Sequence, residues 1–202
     1  MHKKKNYLLI KRILDIVAAY ILLILSYLTM IIIAISIKAE DGGPVIFRQI
    51  RVGQNEKRFV CYKFRTMKTS APSNLSTSEF IDSAEYITRV GAFLRKTSLD
   101  ELPQLFNVLS GDMSIIGPRP LIPNEREICR IRKAYGVYSV RPGITGLAQI
   151  CGRDRLNDVR KAECDAIYVE NVSFSTDIRI LLRTILRVLD KDGNYDKEKT
   201  VT

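Results

Sequence analysis

Between Ile16 and Ile37 there is no charged side chain, and most positions are Ile, Leu, Val, Ala or Met. A helix of this length reaches ~33 Å at 1.5 Å per residue, enough to cross a hydrocarbon core of ~30 Å. A signal peptide has a shorter apolar core, and no small-residue cleavage site precedes the charges that resume at Lys38. This segment is expected in a membrane. Lys3, Lys4, Lys5, Lys11 and Arg12 flank it on one side, and Lys38, Arg48 and Arg51 on the other. Basic flanks stay on the cytoplasmic side, which a straight span cannot satisfy at both ends. A helix that breaks midway and returns can. Ser26 and Thr29 lie near the middle, where hydroxyls bond backbone carbonyls and bend helices, so the break is expected at Ser26 and Tyr27.

The chain as a whole is ordinary in apolar content, with 46% hydrophobic and 27% charged residues, but not in charge, which is +10. Such an excess calls for an anionic partner: nucleic acid, an acidic membrane surface or phosphorylated substrates. There is no tryptophan and no aromatic RNA-binding motif, and charge alone does not choose among the three. Cys61, Cys129, Cys151 and Cys164 are scattered and the only histidine is His2, which excludes a Cys/His zinc site. Four reduced thiols are expected, and any metal would be a hard ion on oxygen ligands, such as magnesium.

Gly42-Gly43-Pro44 predicts a turn after the apolar segment. Strands are predicted over Val45–Ile50 and Arg58–Met67, and a loop over Thr69–Ser78. Helical pattern follows over Ser83–Leu94 and Leu102–Leu109, then a short strand over Met113–Ile116. A helix is predicted over Arg126–Tyr135, and a hairpin over Tyr138–Cys151. Over Asp177–Leu189, Ile178, Leu181, Leu182, Ile185 and Leu189 form an apolar stripe, with Arg179, Arg183 and Arg187 forming a second. That pattern suits either a core helix with a solvated arginine face or an interfacial helix with arginines at lipid phosphates. In an anchored chain the interfacial reading is preferred. The expected fold is α+β: a small cytosolic globular domain, residues 41–202, on an N-terminal re-entrant membrane helix hairpin, residues 1–40, with amphipathic interfacial helices.

Three stretches place charge on constrained backbone. Alternation puts Lys63 and Arg65 on one strand face. Arg119, between Pro118 and Pro120, sits on a stiff extended loop suited to a bidentate phosphate grip. In Ser98-Leu99-Asp100-Glu101-Leu102-Pro103 the proline marks a first helical turn. There Asp100 and Glu101 could simply cap the helix, Ser98 and Glu101 forming a capping box. Alternatively, with Arg95 and Lys96 upstream, Asp100 could face a phosphoryl group as a nucleophile.

These residues resemble the small monotopic phosphoglycosyl transferases, the bacterial sugar transferases. The resemblance covers nearly the whole chain. It runs from Lys11-Arg12 with Asp15, through Gly43-Pro44-Val45-Ile46-Phe47-Arg48-Gln49 and Lys63-Phe64-Arg65-Thr66-Met67. It continues with Leu94-Arg95-Lys96-Thr97-Ser98-Leu99-Asp100-Glu101-Leu102-Pro103-Gln104-Leu105, Gly111-Asp112-Met113-Ser114 and Gly117-Pro118-Arg119-Pro120. Arg141-Pro142-Gly143-Ile144-Thr145-Gly146 and Gly152-Arg153 close it. Members of this family carry a proline where Tyr27 stands here.

The resemblance implies a broken helix dipping into the inner membrane from the cytoplasmic face. It implies a UDP-sugar donor, a polyprenyl (undecaprenyl) phosphate acceptor and UMP as product, at the first membrane step of glycan assembly. The residue matching Asp100 would attack the β-phosphate to give an aspartyl phosphosugar, with Asp100 and Glu101 also matching the magnesium site. Lys63, Arg65, Arg95, Arg119 and Arg153 match phosphate-binding or structural cations. A homodimer or downstream glycosyltransferases are candidate protein partners, and with the membrane segment and this resemblance nucleic acid is not the expected partner. Two other classes compete: a membrane-tethered basic scaffold without catalysis, and a nucleotide-sugar hydrolase. Polyprenyl-phosphate-dependent release of UMP separates all three.

Overall fold

A computed structural model describes residues 2–71, 84–152 and 156–189. The first helix, α1 (His2–Asp41), is ~60 Å long at 1.5 Å per residue. It runs unbroken through Ser26 and Tyr27, so the expected re-entrant hairpin is corrected to one continuous helix. The expected back-bonds do form, Ser26 Oγ donating to the Leu22 carbonyl at 2.6 Å and Ser36 Oγ to that of Ile32 at 2.8 Å, but a back-bond of this kind bends a helix without interrupting its ladder. Tyr27, unlike a proline, keeps the N–H that the helical ladder needs. The helix stops at Gly42, whose φ of 70° and bond to the Lys38 carbonyl at 3.0 Å make a left-handed terminus, as the Gly-Gly-Pro signal predicted.

One stripe of α1 faces the rest of the molecule, and three hydrophobic clusters lie along it. Tyr7 and Leu8 pack on Ile116, Val140, Tyr168, Val169, Val172 and Ile180. Ala19 and Leu23 join Cys61, Leu105, Val108 and Met113. Met30, Ile33 and Ile37 join Phe64 and Leu94. The opposite stripe is bare: Ile13, Ile24, Leu28 and Ile32 are 63%, 60%, 71% and 64% exposed. By length and composition α1 could cross a membrane.

A buried ionic knot holds its amino-terminal end. Tyr7 Oη, Lys11 Nζ and Tyr168 Oη all donate to the Asp177 carboxylate, at 2.6, 2.7 and 2.9 Å. Asp15 accepts the Ile115 N–H at 3.0 Å. At the other end the Glu40 carboxylate accepts the N–H groups of Arg89 and Val90, at 2.7 and 3.2 Å.

Strands β1 (Ile46–Val52) and β2 (Arg58–Phe64) form an antiparallel hairpin, Ile46 opposite Phe64 and Val52 opposite Arg58. Helix α2 (Arg89–Thr97) starts at Thr88, whose Oγ1 accepts the Gly91 N–H at 2.9 Å. The helix predicted over Ser83–Leu94 is thus shifted along the chain. Then come α3 (Gln104–Ser110), β3 (Ser114–Ile116) and α4 (Arg126–Ala134), near the predicted places.

The hairpin expected over Tyr138–Cys151 is corrected. Gly143–Thr145 is a strand, β4, lying parallel to β3, and Leu147–Cys151 is a helix, α5. Gly117, Gly143 and Gly146 bring two backbones into contact; a Cβ on Gly143 would collide with the Gly117 amide. Side chains cannot enter there, so the chain pairs with a distant strand instead of folding back on itself. Helices α6 (Asp158–Glu170) and α7 (Phe174–Leu189) complete the described fold. The α7 stripe is reorganised: Asp177 and Ile180 are buried, whereas Phe174, Leu182 and Leu186 are 57%, 56% and 53% exposed. Arg187 donates to the Gln149 carbonyl at 2.8 Å, which ties it to the protein. The four cysteines are unpaired. The loop expected over Thr69–Ser78 lies mostly outside the described residues.

Candidate active site

Residues directly opposite in a β-ladder share a face. The pairs Phe47–Lys63, Gln49–Cys61 and Arg51–Phe59 therefore line one side of the β1–β2 hairpin, while Arg48 and Ile50 are exposed on the other. Lys63 projects from that inner side toward the chain that follows α2.

There the backbone turns sharply. Ser98 adopts the left-handed conformation (φ 58°, ψ 16°), ending α2 and opening a 3-10 turn over Leu99–Glu101. A serine in this region is mildly strained. The turn presents two adjacent carboxylates to one lysine: Lys63 Nζ lies 2.7 Å from Glu101 Oε1 and 3.7 Å from Asp100 Oδ2. The capping box is not formed. Ser98 makes no side-chain cap, α3 begins only at Gln104, and Glu101 is turned toward cations.

The second cation comes from the Gly117–Pro120 loop. Arg119 Nη1 reaches Glu101 Oε1 at 3.1 Å, its side chain 42% exposed. The loop is pinned by backbone bonds from Gly117 N–H to the Thr145 carbonyl (2.8 Å), Gly143 N–H to that of Pro118 (2.9 Å) and Val52 N–H to that of Leu121 (2.9 Å). Arg95, on α2, donates from Nε to Thr66 Oγ1 at 2.9 Å.

The two carboxylates are tuned apart. Burial works to raise the Glu101 pKa, but Lys63 and Arg119 outweigh it and hold the group down to about 2. For Asp100 burial prevails and raises the pKa; the charge of Glu101 adds to the rise, while Lys63, Arg119 and Arg95 oppose it. One carboxylate is thus a fixed anion that organises cations. The other is a less stabilised, more basic oxygen, as a nucleophile requires. Burial raises the Cys61 thiol beneath the site and lowers the guanidinium of Arg51, which Arg119 lowers further.

Of the residues singled out in the sequence, Lys63, Asp100, Glu101 and Arg119 come together, and Arg95 lies within electrostatic reach of Asp100. Arg65 is turned to Asp41 at the end of α1, only 7% exposed. Arg153 lies outside the described residues. Arg51 counted in the sequence only as a basic flank of the apolar segment, although strand alternation from Gln49 places it on the inner face. Arg132 and Asp165, an ion pair between α4 and α6, carried no sequence signal.

A body of short strands and helices, with one long apolar helix and paired carboxylates under two cations, defines the kind of molecule. Residues 6–191 match the family model described as bacterial sugar transferase, and the chain belongs to that family. It is 39% identical over 186 residues to the sugar transferase EpsL of Bacillus subtilis, covering 92% of this chain and 90% of that one. It is 41% identical over 207 residues to the undecaprenyl-phosphate galactose phosphotransferase of Salmonella typhimurium, covering 95% of this chain. It is also 40% identical over 184 residues to the UDP-glucose:undecaprenyl-phosphate glucose-1-phosphate transferase of Klebsiella pneumoniae, covering 88% of this chain. The match spans less than half of these last two proteins, 43% and 39% of their lengths.

Proposed function

We propose that this chain transfers a sugar 1-phosphate from a UDP-sugar to undecaprenyl phosphate and releases UMP. The names of the Salmonella and Klebsiella relatives support the substrate classes. The observation that carries the chemistry is the pairing of a raised-pKa Asp100 with an ionised Glu101 held by Lys63 and Arg119.

In the first displacement an Asp100 oxygen attacks the β-phosphorus of the donor. The bond from that phosphorus to the bridging oxygen breaks, and UMP leaves with the electron pair. The sugar phosphate remains on the carboxylate as an acyl phosphate. In the second, a phosphate oxygen of the lipid attacks the same phosphorus and Asp100 departs, leaving a diphosphate-linked sugar. Every reactant is anionic, so Lys63, Arg119 and Arg95 relieve like-charge repulsion. Glu101 keeps Lys63 and Arg119 in place.

Among the described residues no group of three Asp, Glu, His or Cys ligands gathers. Magnesium, however, is commonly held by one or two carboxylates together with substrate phosphates. The donor set fits: Asp100 and the Glu101 oxygen away from Lys63 would hold the ion, which would neutralise phosphate charge when bound.

The bare stripe of α1 and the exposed apolar residues of α7 suit an interfacial seat on the cytoplasmic face of the inner membrane, where a lipid phosphate and a soluble nucleotide-sugar can reach one site in turn. The test is to incubate purified enzyme with a panel of UDP-sugars, with and without undecaprenyl phosphate. UMP release that depends on the lipid is expected. Lipid-independent turnover would make the protein a hydrolase, and binding without turnover would make it a scaffold.

A further inference from the structure

Arg119 meets Glu101 through a long, partly exposed side chain, and such a chain has many rotamers open to it. Its aim therefore depends on how firmly its backbone is held. Two other arginines grip that backbone at consecutive carbonyls. Arg132 Nη1 donates to the Arg119 carbonyl at 2.7 Å, and Arg51 Nη1 to the Pro120 carbonyl at 3.1 Å. They come from different elements, Arg132 from α4 and Arg51 from β1.

Each is itself held. Arg51 Nη2 donates to Gln49 Oε1, and Arg132 is ion-paired with Asp165 on α6. Arg132 is 3% exposed and Asp165 wholly buried. A buried ion pair is often no more stabilising than apolar residues of similar volume, so stability alone gives weak reason for it. Hydrogen bonds from a charged donor are about twice as strong as neutral ones, which suits these guanidinium groups to fixing carbonyls.

We propose that Arg51 and Arg132 are positioning residues for Arg119, with Asp165 orienting Arg132, so that the guanidinium opposite Glu101 is set by one buried and one half-buried arginine. Neither touches substrate; both act through the loop. The proposal rests on the phosphoglycosyl-transfer reading, in which Arg119 meets the donor's phosphates.

The experiment is a double-mutant cycle on lipid-dependent UMP release, with the thermal midpoint of each variant recorded. Arg51→Lys keeps the charge but cannot reach both Pro120 and Gln49 with one planar fork. Arg132→Met combined with Asp165→Leu removes the buried pair without leaving an orphan charge. Each change is made with Arg119 present and in an Arg119→Ala background. With Arg119 present, kcat/KM should fall about tenfold or more; in the Arg119→Ala background the same changes should alter it by no more than about twofold.

Equal losses in both backgrounds would mean a merely structural role and overturn the proposal, while leaving the transferase reading intact. An Arg119→Ala enzyme as active as the parent would overturn it too, because nothing would need positioning. If the paired α4–α6 variant does not fold, the Arg51→Lys cycle decides alone. Absence of lipid-dependent UMP release from the parent enzyme would sink the transferase reading and this proposal together.

Discussion

Asp100 and Glu101 are neighbours of one chemical type, yet their surroundings give them opposite work. Glu101, held to a pKa of about 2 by Lys63 and Arg119, is ionised at any working pH. Asp100, raised by burial, is the carboxylate proposed as the nucleophile. Asp100→Asn keeps the size of the side chain, and the turn it occupies has no side-chain cap to lose. The variant should fold with an unchanged thermal midpoint, lose lipid-dependent UMP release by orders of magnitude and show no phosphosugar adduct by mass spectrometry. An active Asp100→Asn enzyme would refute the mechanism.

The pH profile belongs to the same pair. The proposed mechanism needs the ionised form of Asp100, so kcat/KM should fall as pH drops through the pKa of that group, which burial raises above its ordinary value. Glu101→Gln removes a negative charge that raises Asp100 and frees Lys63 to act on it. Both effects lower the Asp100 pKa, so the limb should move to lower pH as kcat falls. A limb that stays in place when kcat/KM is measured against pH would disconnect it from Asp100.

At the scale of elements, α1 is tied down by charge where its apolar stripe begins. Asp177 gathers Tyr7, Lys11 and Tyr168 from α1 and α6 onto α7. Removing one partner of a buried ion pair leaves the other uncompensated. Asp177→Asn keeps one acceptor oxygen where Tyr7 and Tyr168 now use two and leaves Lys11 only the more distant Asp15, at 3.8 Å. The change should cost about 3 kcal/mol of unfolding free energy in detergent. Adding Lys11→Met removes the stranded charge, so the double variant should be less destabilised than the sum of the single ones. Additive losses in denaturant titrations would show that the lysine and aspartate do not act as a pair.

Over the whole molecule, both ends of α1 are fastened to the same globular body, by Asp177 near its start and by the Arg89 and Val90 amides at Glu40. A straight membrane crossing would tear one of these attachments away. Cysteines placed at His2 and at Gly42 should therefore both resist impermeant thiol reagents in intact cells. Labelling of His2 alone would show that the helix leaves the domain and crosses the bilayer.

Local signals carried far into this protein. The uncharged run from Ile16 to Ile37, the turn at Gly42-Gly43-Pro44, the two strands β1 and β2 and the Asp100-Glu101 pair were legible because each depends on residues near in sequence: hydrophobic run length, turn residues, strand alternation, adjacent acids. The order of short motifs also pointed to the family before any fold was known. What the tertiary structure decided depends on partners distant in the chain. Whether Glu101 caps a helix or holds cations turned on Lys63, 38 residues away, and on Arg119, 18 residues away. Whether the 138–151 segment is a hairpin turned on the close contact of Gly143 with Gly117. Strand alternation suggested that Arg65 faces with Lys63, whereas its ion pair with Asp41 is set by where α1 ends. Arg51 and Arg132 gain their meaning only from the carbonyls they reach across the fold. A hydrogen bond between residues far apart in sequence leaves no periodicity to read, and only packing brings its two ends together.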